Sequence, residues 1–145
     1  MSSFPALKKQ IEHGQFAPVY YLYGEESWFI DMLAQAVEKH ALQPHEEAFN
    51  KEVCFGADTT ANAVMTACRS FPMMASRRLV MLKEAHRLPK SEWDKLLHYF
   101  SQARALPPCL SYTKAKKAVL AKRVSKLWRK LAVFHFIQKS FTSAM

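Results

Sequence analysis

Pro18-Val19-Tyr20-Tyr21-Leu22-Tyr23-Gly24 is an unbroken apolar run of strand length closed by a glycine. Continuous rather than alternating apolarity is what a strand covered on both faces requires, because both of its side-chain rows leave water. The period then changes. Glu25 and Glu26 stand where a helix N-terminus favours negative charge, and Phe29, Met32, Leu33, Ala36 and Val37 recur at helical spacing. A buried strand feeding an amphipathic helix is the unit from which helix-covered parallel sheets are built.

The same alternation extends in both directions. Upstream, Ser3 can cap a helix with Pro5 in its first turn and Phe4, Leu7 and Ile11 on one face, ended by Gly14. Downstream, a weaker strand is expected over Ala48 to Phe55, stopped by Gly56. Asp58 or Thr59 then caps a helix with the stripe Ala61, Val64, Met65 and Cys68. Leu79-Val80-Met81-Leu82 reads as a second short buried strand. After Pro89, Ser91 with Asp94 resembles a capping box for a helix carrying Trp93, Leu96, Leu97 and Phe100. Another strand is due at Leu106-Pro107-Pro108-Cys109-Leu110, where two prolines would remove two ladder donors. From Lys114 the helical period returns through Leu120, Val124, Leu127, Trp128 and Leu131, and Val133 to Ile137 reads as a last strand. The expected fold is α/β, with a parallel sheet covered on both faces.

Composition bounds the function. The 145 residues fit one domain, and an apolar fraction of 50% excludes a disordered chain. The net charge of +9 is unevenly placed. Ten of the 21 Lys and Arg and none of the 12 acids fall after residue 100, so residues 1–100 carry −1 and residues 101–145 carry +10. The body is an ordinary neutral domain and the basicity belongs to the tail. Cys54, Cys68 and Cys109 are an odd, widely spaced set, which argues against a disulfide framework and suits a reducing cytosol. No apolar h-region follows Lys8 and Lys9, and no apolar run approaches the roughly 20 residues that cross a bilayer. A soluble, cytoplasmic protein with no membrane partner is expected.

Catalytic signatures are missing. A phosphate loop needs several glycines to close backbone N–H groups around phosphate, with a Lys and a Ser or Thr after them. The turn after the first strand reads Tyr23-Gly24-Glu25-Glu26-Ser27-Trp28, with one glycine, no lysine and two carboxylates that would repel a triphosphate. The strand Leu79–Leu82 ends in Lys83-Glu84, and the lysine opposes a magnesium site there. The six histidines are scattered without zinc spacing, and Cys68 falls on an apolar helix stripe where a core residue belongs. No catalytic residue, cofactor or metal is expected.

One segment stands apart: Ser70-Phe71-Pro72-Met73-Met74-Ala75-Ser76-Arg77-Arg78, between the helix over 59–70 and the strand at 79–82. Pro72 cannot continue a helix and restricts Phe71 to extended backbone. Three large apolar side chains therefore crowd onto a connection, and connections run over surfaces. Two readings stay open on this ground alone. The side chains form a protein-docking tip, since Met repacks readily against an apolar pocket, or they tuck under the sheet and cap the core.

Two stretches resemble a known family. Tyr20-Tyr21-Leu22-Tyr23-Gly24-Glu25-Glu26 is similar to the opening of the delta subunit of the bacterial DNA polymerase III clamp loader. So is the run from Ala67 through Phe71-Pro72-Met73-Met74-Ala75-Ser76-Arg77-Arg78 to Val80, and the helix 91–100 with Trp93, Leu96 and Leu97 matches as well. The resemblance covers residues 4 to about 100 well and the Lys-rich stretch from about 114 to 131 loosely. It implies a RecA-like, AAA+-type three-layer domain with a mostly parallel sheet and a degenerate nucleotide site. It implies an accessory subunit of a DNA polymerase holoenzyme, with no ATPase activity, that binds the ring-shaped sliding clamp (beta) and opens one of its interfaces or holds it open. The family's two apolar clamp contacts precede Ala-Ser-Arg, a place filled here by Met73 and Met74, with Phe71 and Pro72 as support. Other clamp-loader subunits are implied as partners where the family's later domains are present.

The chain also departs from that family. Residues 1–145 are expected to form one N-terminal, clamp-binding domain, without the later collar domains through which loader subunits join. The family has a clean apolar strand where Leu106–Leu110 stands and commonly an acid near Ala121, and no resemblance remains from Gln138 onward. A fragment or a truncated or frame-altered reading of the gene stands beside a genuine short variant. The rival function is a nucleic-acid-binding module in the 113–145 tail, with Lys116, Lys117, Lys122, Arg123 and Lys126 on phosphates. A solvated face of an amphipathic helix would look the same. Salt-sensitive DNA binding that disappears on removing residues 113–145 would mark the module.

Overall fold

The computed structural model describes residues 4–16, 19–24, 27–101, 109–115 and 134–138. Within them lie helices α1 (Phe4–Glu12), α2 (Ser27–Ala41), α3 (Glu47–Asn50), α4 (Ala61–Arg69) and α5 (Lys90–Ser101). The strands are β1 (Val19–Gly24), β2 (Lys51–Phe55), β3 (Arg78–Lys83), β4 (Cys109–Ala115) and β5 (Phe134–Gln138). They form one five-stranded sheet in the order β2-β3-β4-β1-β5. Every pairing is parallel.

The Leu79–Leu82 run, read as a buried strand, is covered on both faces. Along β3, Leu79 and Met81 face one apolar cluster with Tyr20 and Leu22 of β1, beneath Leu7 and Ile11 of α1 and Ile30, Leu33 and Val37 of α2. Val80 and Leu82 face a second cluster with Ala61, Val64 and Cys68 of α4 and Trp93, Leu96 and Leu97 of α5. The period of two along the strand thus divides one run between two cores, and removing each such side chain from water contributes about 1.5–3 kcal/mol. Cys68 lies in the second core, as its stripe requires. The indole of Trp93 is buried with its Nε1 donating to the Ala85 carbonyl at 2.8 Å.

Several boundaries differ from the sequence reading. Ala48 and Phe49 are not strand residues. They belong to the single turn of α3, which closes with the Asn50 amide donating to the Glu46 carbonyl at 2.9 Å, and β2 starts only at Lys51. The cap of α4 is Thr60 rather than Asp58 or Thr59, its Oγ1 accepting from the Ala63 N–H at 3.2 Å. α5 begins at Lys90, so Ser91 lies inside the helix, and the Pro89 carbonyl receives the Glu92 and Trp93 N–H groups. β4 runs Cys109–Ala115, and Leu106, Pro107 and Pro108 lie outside the described residues. Lys114 and Ala115 are strand residues of β4 and not the start of a helix, while the stripe from Leu120 to Leu131 lies outside the described residues. Ser3, Glu25 and Glu26 lie outside them too.

Gly56 follows β2 where the chain passes close to Glu84, and a Cβ there would collide with the Glu84 carbonyl oxygen. A long-range contact completes the start of α4: Glu92 Oε2 on α5 accepts the Ala61 N–H at 2.7 Å. That hydrogen bond, helped by Lys95, holds the Glu92 carboxyl below its usual pKa. Protonating Glu92 weakens the bond, so its contribution is present above the ordinary Glu range near pH 4.3 and is lost as the pH falls through the lowered value. Glu92→Gln is expected to leave acid unfolding less dependent on pH below about 4.3 than in the parent chain, as read from urea midpoints across an acid series.

Candidate functional site

All strands are parallel, so their N-terminal ends share one edge of the sheet. Phe71 to Arg77 leads into the start of β3, and Asn50 immediately precedes β2. The apolar segment therefore stands at the N-terminal edge. The carboxyl ends of β1 and β4, where doubly wound sheets take nucleotides, lie at the opposite edge.

The segment does not tuck under the sheet. Phe71 is 77% exposed, Met73 59% and Met74 100%, with Pro72 half-buried beside them. α4 stops at Ser70, whose N–H and hydroxyl both donate to the Thr66 carbonyl while its backbone turns extended. Phe71 and Pro72 continue away from the helix, and Met74 adopts a left-handed backbone at φ +54°. For a residue with a Cβ that conformation costs on the order of 1–2 kcal/mol, so surrounding bonds must hold it.

Those bonds come from two buried polar side chains. Asn50 has no exposed surface; its Oδ1 accepts the Met73 N–H at 2.7 Å and its Nδ2 donates to the Met73 carbonyl at 2.9 Å. Arg78, the first residue of β3, is 9% exposed and ties three segments together. Its Nε donates to the Ala67 carbonyl in the last turn of α4 at 3.2 Å, and Nη1 to the Phe49 carbonyl at 3.0 Å. Nη2 pairs with Glu52 Oε2 at 3.1 Å. On the neighbouring position Arg77 places its guanidinium 4.3 Å from the centre of the Phe16 ring. The apolar tip is thus a braced loop, fixed where it leaves α4 and where it enters β3.

Sequence reasoning singled out Phe71, Pro72, Met73 and Met74 but did not reach the brace or Phe49, an aromatic 66% exposed on α3 beside Asn50. Reading residues 48–55 as strand concealed them, and a single Asn carries no local sign of a partner 23 residues away. The basic candidates Lys116, Lys117, Lys122, Arg123 and Lys126 lie outside the described residues. Among the described residues no group of three or more His, Cys, Asp or Glu is placed to hold a metal ion, and no helix is long and apolar enough to cross a membrane. Cys54 and Cys68 are buried, and burial pushes the Cys54 thiol above its usual pKa, away from the reactive thiolate.

The fold is similar to that of a RuvB variant of Thermotoga maritima, at a TM-score of 0.52 and 13% identity over 93% of this chain and 42% of that one. A DNA polymerase III gamma subunit-related protein of the same organism aligns at 0.62, with 12% identity over 99% of this chain and 48% of that one. The DNA clamp loader delta protein of Bacillus subtilis aligns at 0.78, with 22% identity over 97% of this chain and 44% of that one. These likenesses define the fold as a RecA-like, AAA+-type domain. The sequence itself matches the family described as DNA polymerase III, delta subunit, over residues 20–135. A curated relative, DNA polymerase III subunit delta of Bacillus subtilis, is 26% identical over 94 residues, which are 64% of this chain and 27% of that protein. The chain belongs to the DNA polymerase III delta-subunit family, and it spans about a quarter of the length of that curated relative.

The brace is testable by itself. Arg78→Met keeps most of the side-chain volume but leaves the Phe49 and Ala67 carbonyls without their donor, and is expected to cost roughly 2–4 kcal/mol in urea unfolding. Arg78→Lys is expected to recover only a small part, because one ammonium cannot span acceptors on three segments.

Proposed function

We propose that this chain is the clamp-handling domain of a clamp-loader delta subunit: Met73 and Met74, supported by Phe71 and Pro72, dock into an apolar pocket on the sliding clamp and favour its open ring. The observation that carries this reading is the braced tip, which keeps three large apolar side chains in water at 59–100% exposure. A monomer gains nothing from such a patch, whereas a partner's pocket does. Membership of the delta-subunit family supports the clamp as that partner.

The energetics are adequate without chemistry on this chain. A closed ring under strain opens when a ligand binds the open form better, and only by that difference in affinity. Burying two Met side chains contributes about 1.5–3 kcal/mol each, enough to bias a marginal interface. Holding the tip in its bound shape beforehand lowers the ordering cost of docking. The turn Tyr23-Gly24-Glu25-Glu26-Ser27-Trp28 has neither the glycines nor the lysine of a phosphate loop, so we assign no ATP hydrolysis to this chain and place nucleotide control on partner subunits of the loader. In this reading the protein is a cytoplasmic accessory subunit of the replicative polymerase.

Replacing both methionines, Met73→Asp with Met74→Asp, puts charges only where the side chains are already exposed, so the thermal midpoint is expected to hold. Affinity for immobilised sliding clamp, measured by surface plasmon resonance, is expected to fall on the order of 100-fold or more, the equivalent of two buried Met side chains. Binding at the parent affinity would remove the tip from this role.

A further inference from the structure

We propose that the docking surface is built from two chain segments, with Phe49 of α3 as a second apolar contact to the clamp and Asn50 as the positioning residue that holds the segments in register. This rests on the clamp-docking reading above and extends it to residues 20 or more positions upstream of the tip. A single exposed aromatic is ordinary on a protein surface. Phe49 differs because one hydrogen bond to its own carbonyl and two made by the side chain of its neighbour Asn50 tie its segment to Met73 and Arg78. Its own carbonyl accepts Arg78 Nη1 at 3.0 Å, directly after the tip, and the adjoining Asn50 holds both the N–H and the carbonyl of Met73 at 2.7 and 2.9 Å.

The use of Asn50 is informative. An amide has two donors and one oxygen to satisfy when buried. Asn50, with no exposed surface, meets them with the Glu46 and Met73 carbonyls and the Met73 N–H. It therefore spends its bonds on the backbone of a residue whose own side chain is 59% exposed. Such bonds pack no core around Met73. They fix the backbone from which Met73 and the left-handed Met74 project, and they tie it to the segment that carries Phe49. Interface hot spots favour aromatic anchors, and Phe49 supplies a second exposed aromatic, in addition to Phe71, on the segment tied to the tip. Phe55 is also exposed, at 45%, but lies four residues further along β2, about 13 Å from Lys51 at the strand rise. It serves as the control for general stickiness.

The test uses the whole chain against immobilised sliding clamp. Phe49→Ala and Met73→Ala are each expected to weaken binding roughly tenfold or more, as hot-spot truncations do, with Phe55→Ala at the parent affinity. Phe49 is exposed, so its truncation leaves the fold intact. Asn50→Ala is expected to weaken binding too, to speed hydrogen exchange at the Met73 amide while α5 stays protected, and to make Met73→Ala cost much less in its background than in the parent. Fully additive losses for Asn50→Ala and Met73→Ala would overturn the positioning role, since a residue acting only through global stability leaves the Met73 contact unchanged. Parent affinity in Phe49→Ala, with binding lost in the Met73→Asp, Met74→Asp chain, would overturn the two-segment surface and leave clamp docking standing. Parent affinity in both would overturn clamp docking and this proposal with it.

Discussion

A guanidinium cannot be deprotonated to escape burial, so a buried arginine must find partners for its donors or cost the fold several kcal/mol. Arg78 sits at the start of β3, an inner strand between β2 and β4 with both side-chain rows in apolar clusters. The carbonyls of Ala67 and Phe49 and the Glu52 carboxylate satisfy it. Those acceptors belong to α4, α3 and β2, so pairing one buried cation draws together the three segments around the apolar tip. The position of the tip depends on that requirement more than on any contact its own side chains make.

The tip then carries a tension between exposure and order. Exposed Phe and Met side chains and a left-handed Met backbone each oppose stability. Buried hydrogen bonds from Asn50 and Arg78 offset that cost and leave the loop in a defined shape. The opposite edge of the sheet, where strand carboxyl ends form the crevice of related nucleotide-binding folds, has no glycine-rich loop in its sequence. The apolar tip and the strand ends that form that crevice in related folds thus lie at opposite ends of the strands.

Local physics made much of the fold legible. β1 and β3 read as buried strands because their consecutive apolar residues are too few for a buried helix, and β1 is bounded by Pro18 and Gly24, while α2, α4 and α5 read from stripes that neighbours on one helix face must share. Where the reading went astray, the deciding contact came from far along the chain. Residues 48–50 carry no helix signature; the Asn50 amide, bound to Met73, belongs to a turn because of that partner. The capping box expected from Ser91 and Asp94 gives way to α5 starting at Lys90, and the neighbouring Glu92 instead reaches Ala61 of α4 across 31 positions.

By itself, then, the sequence determined the alternation of buried strands with amphipathic helices, the lack of a phosphate loop, and the anomaly of Phe71-Pro72-Met73-Met74. Each is a property of neighbouring residues: a period, a missing residue type, a proline. Whether those side chains faced water or the core was a question of three dimensions, because either placement is compatible with a Pro-containing connection. The tertiary structure decided it through hydrogen bonds that Asn50 and Arg78 can make only once β2, β3 and α4 are side by side.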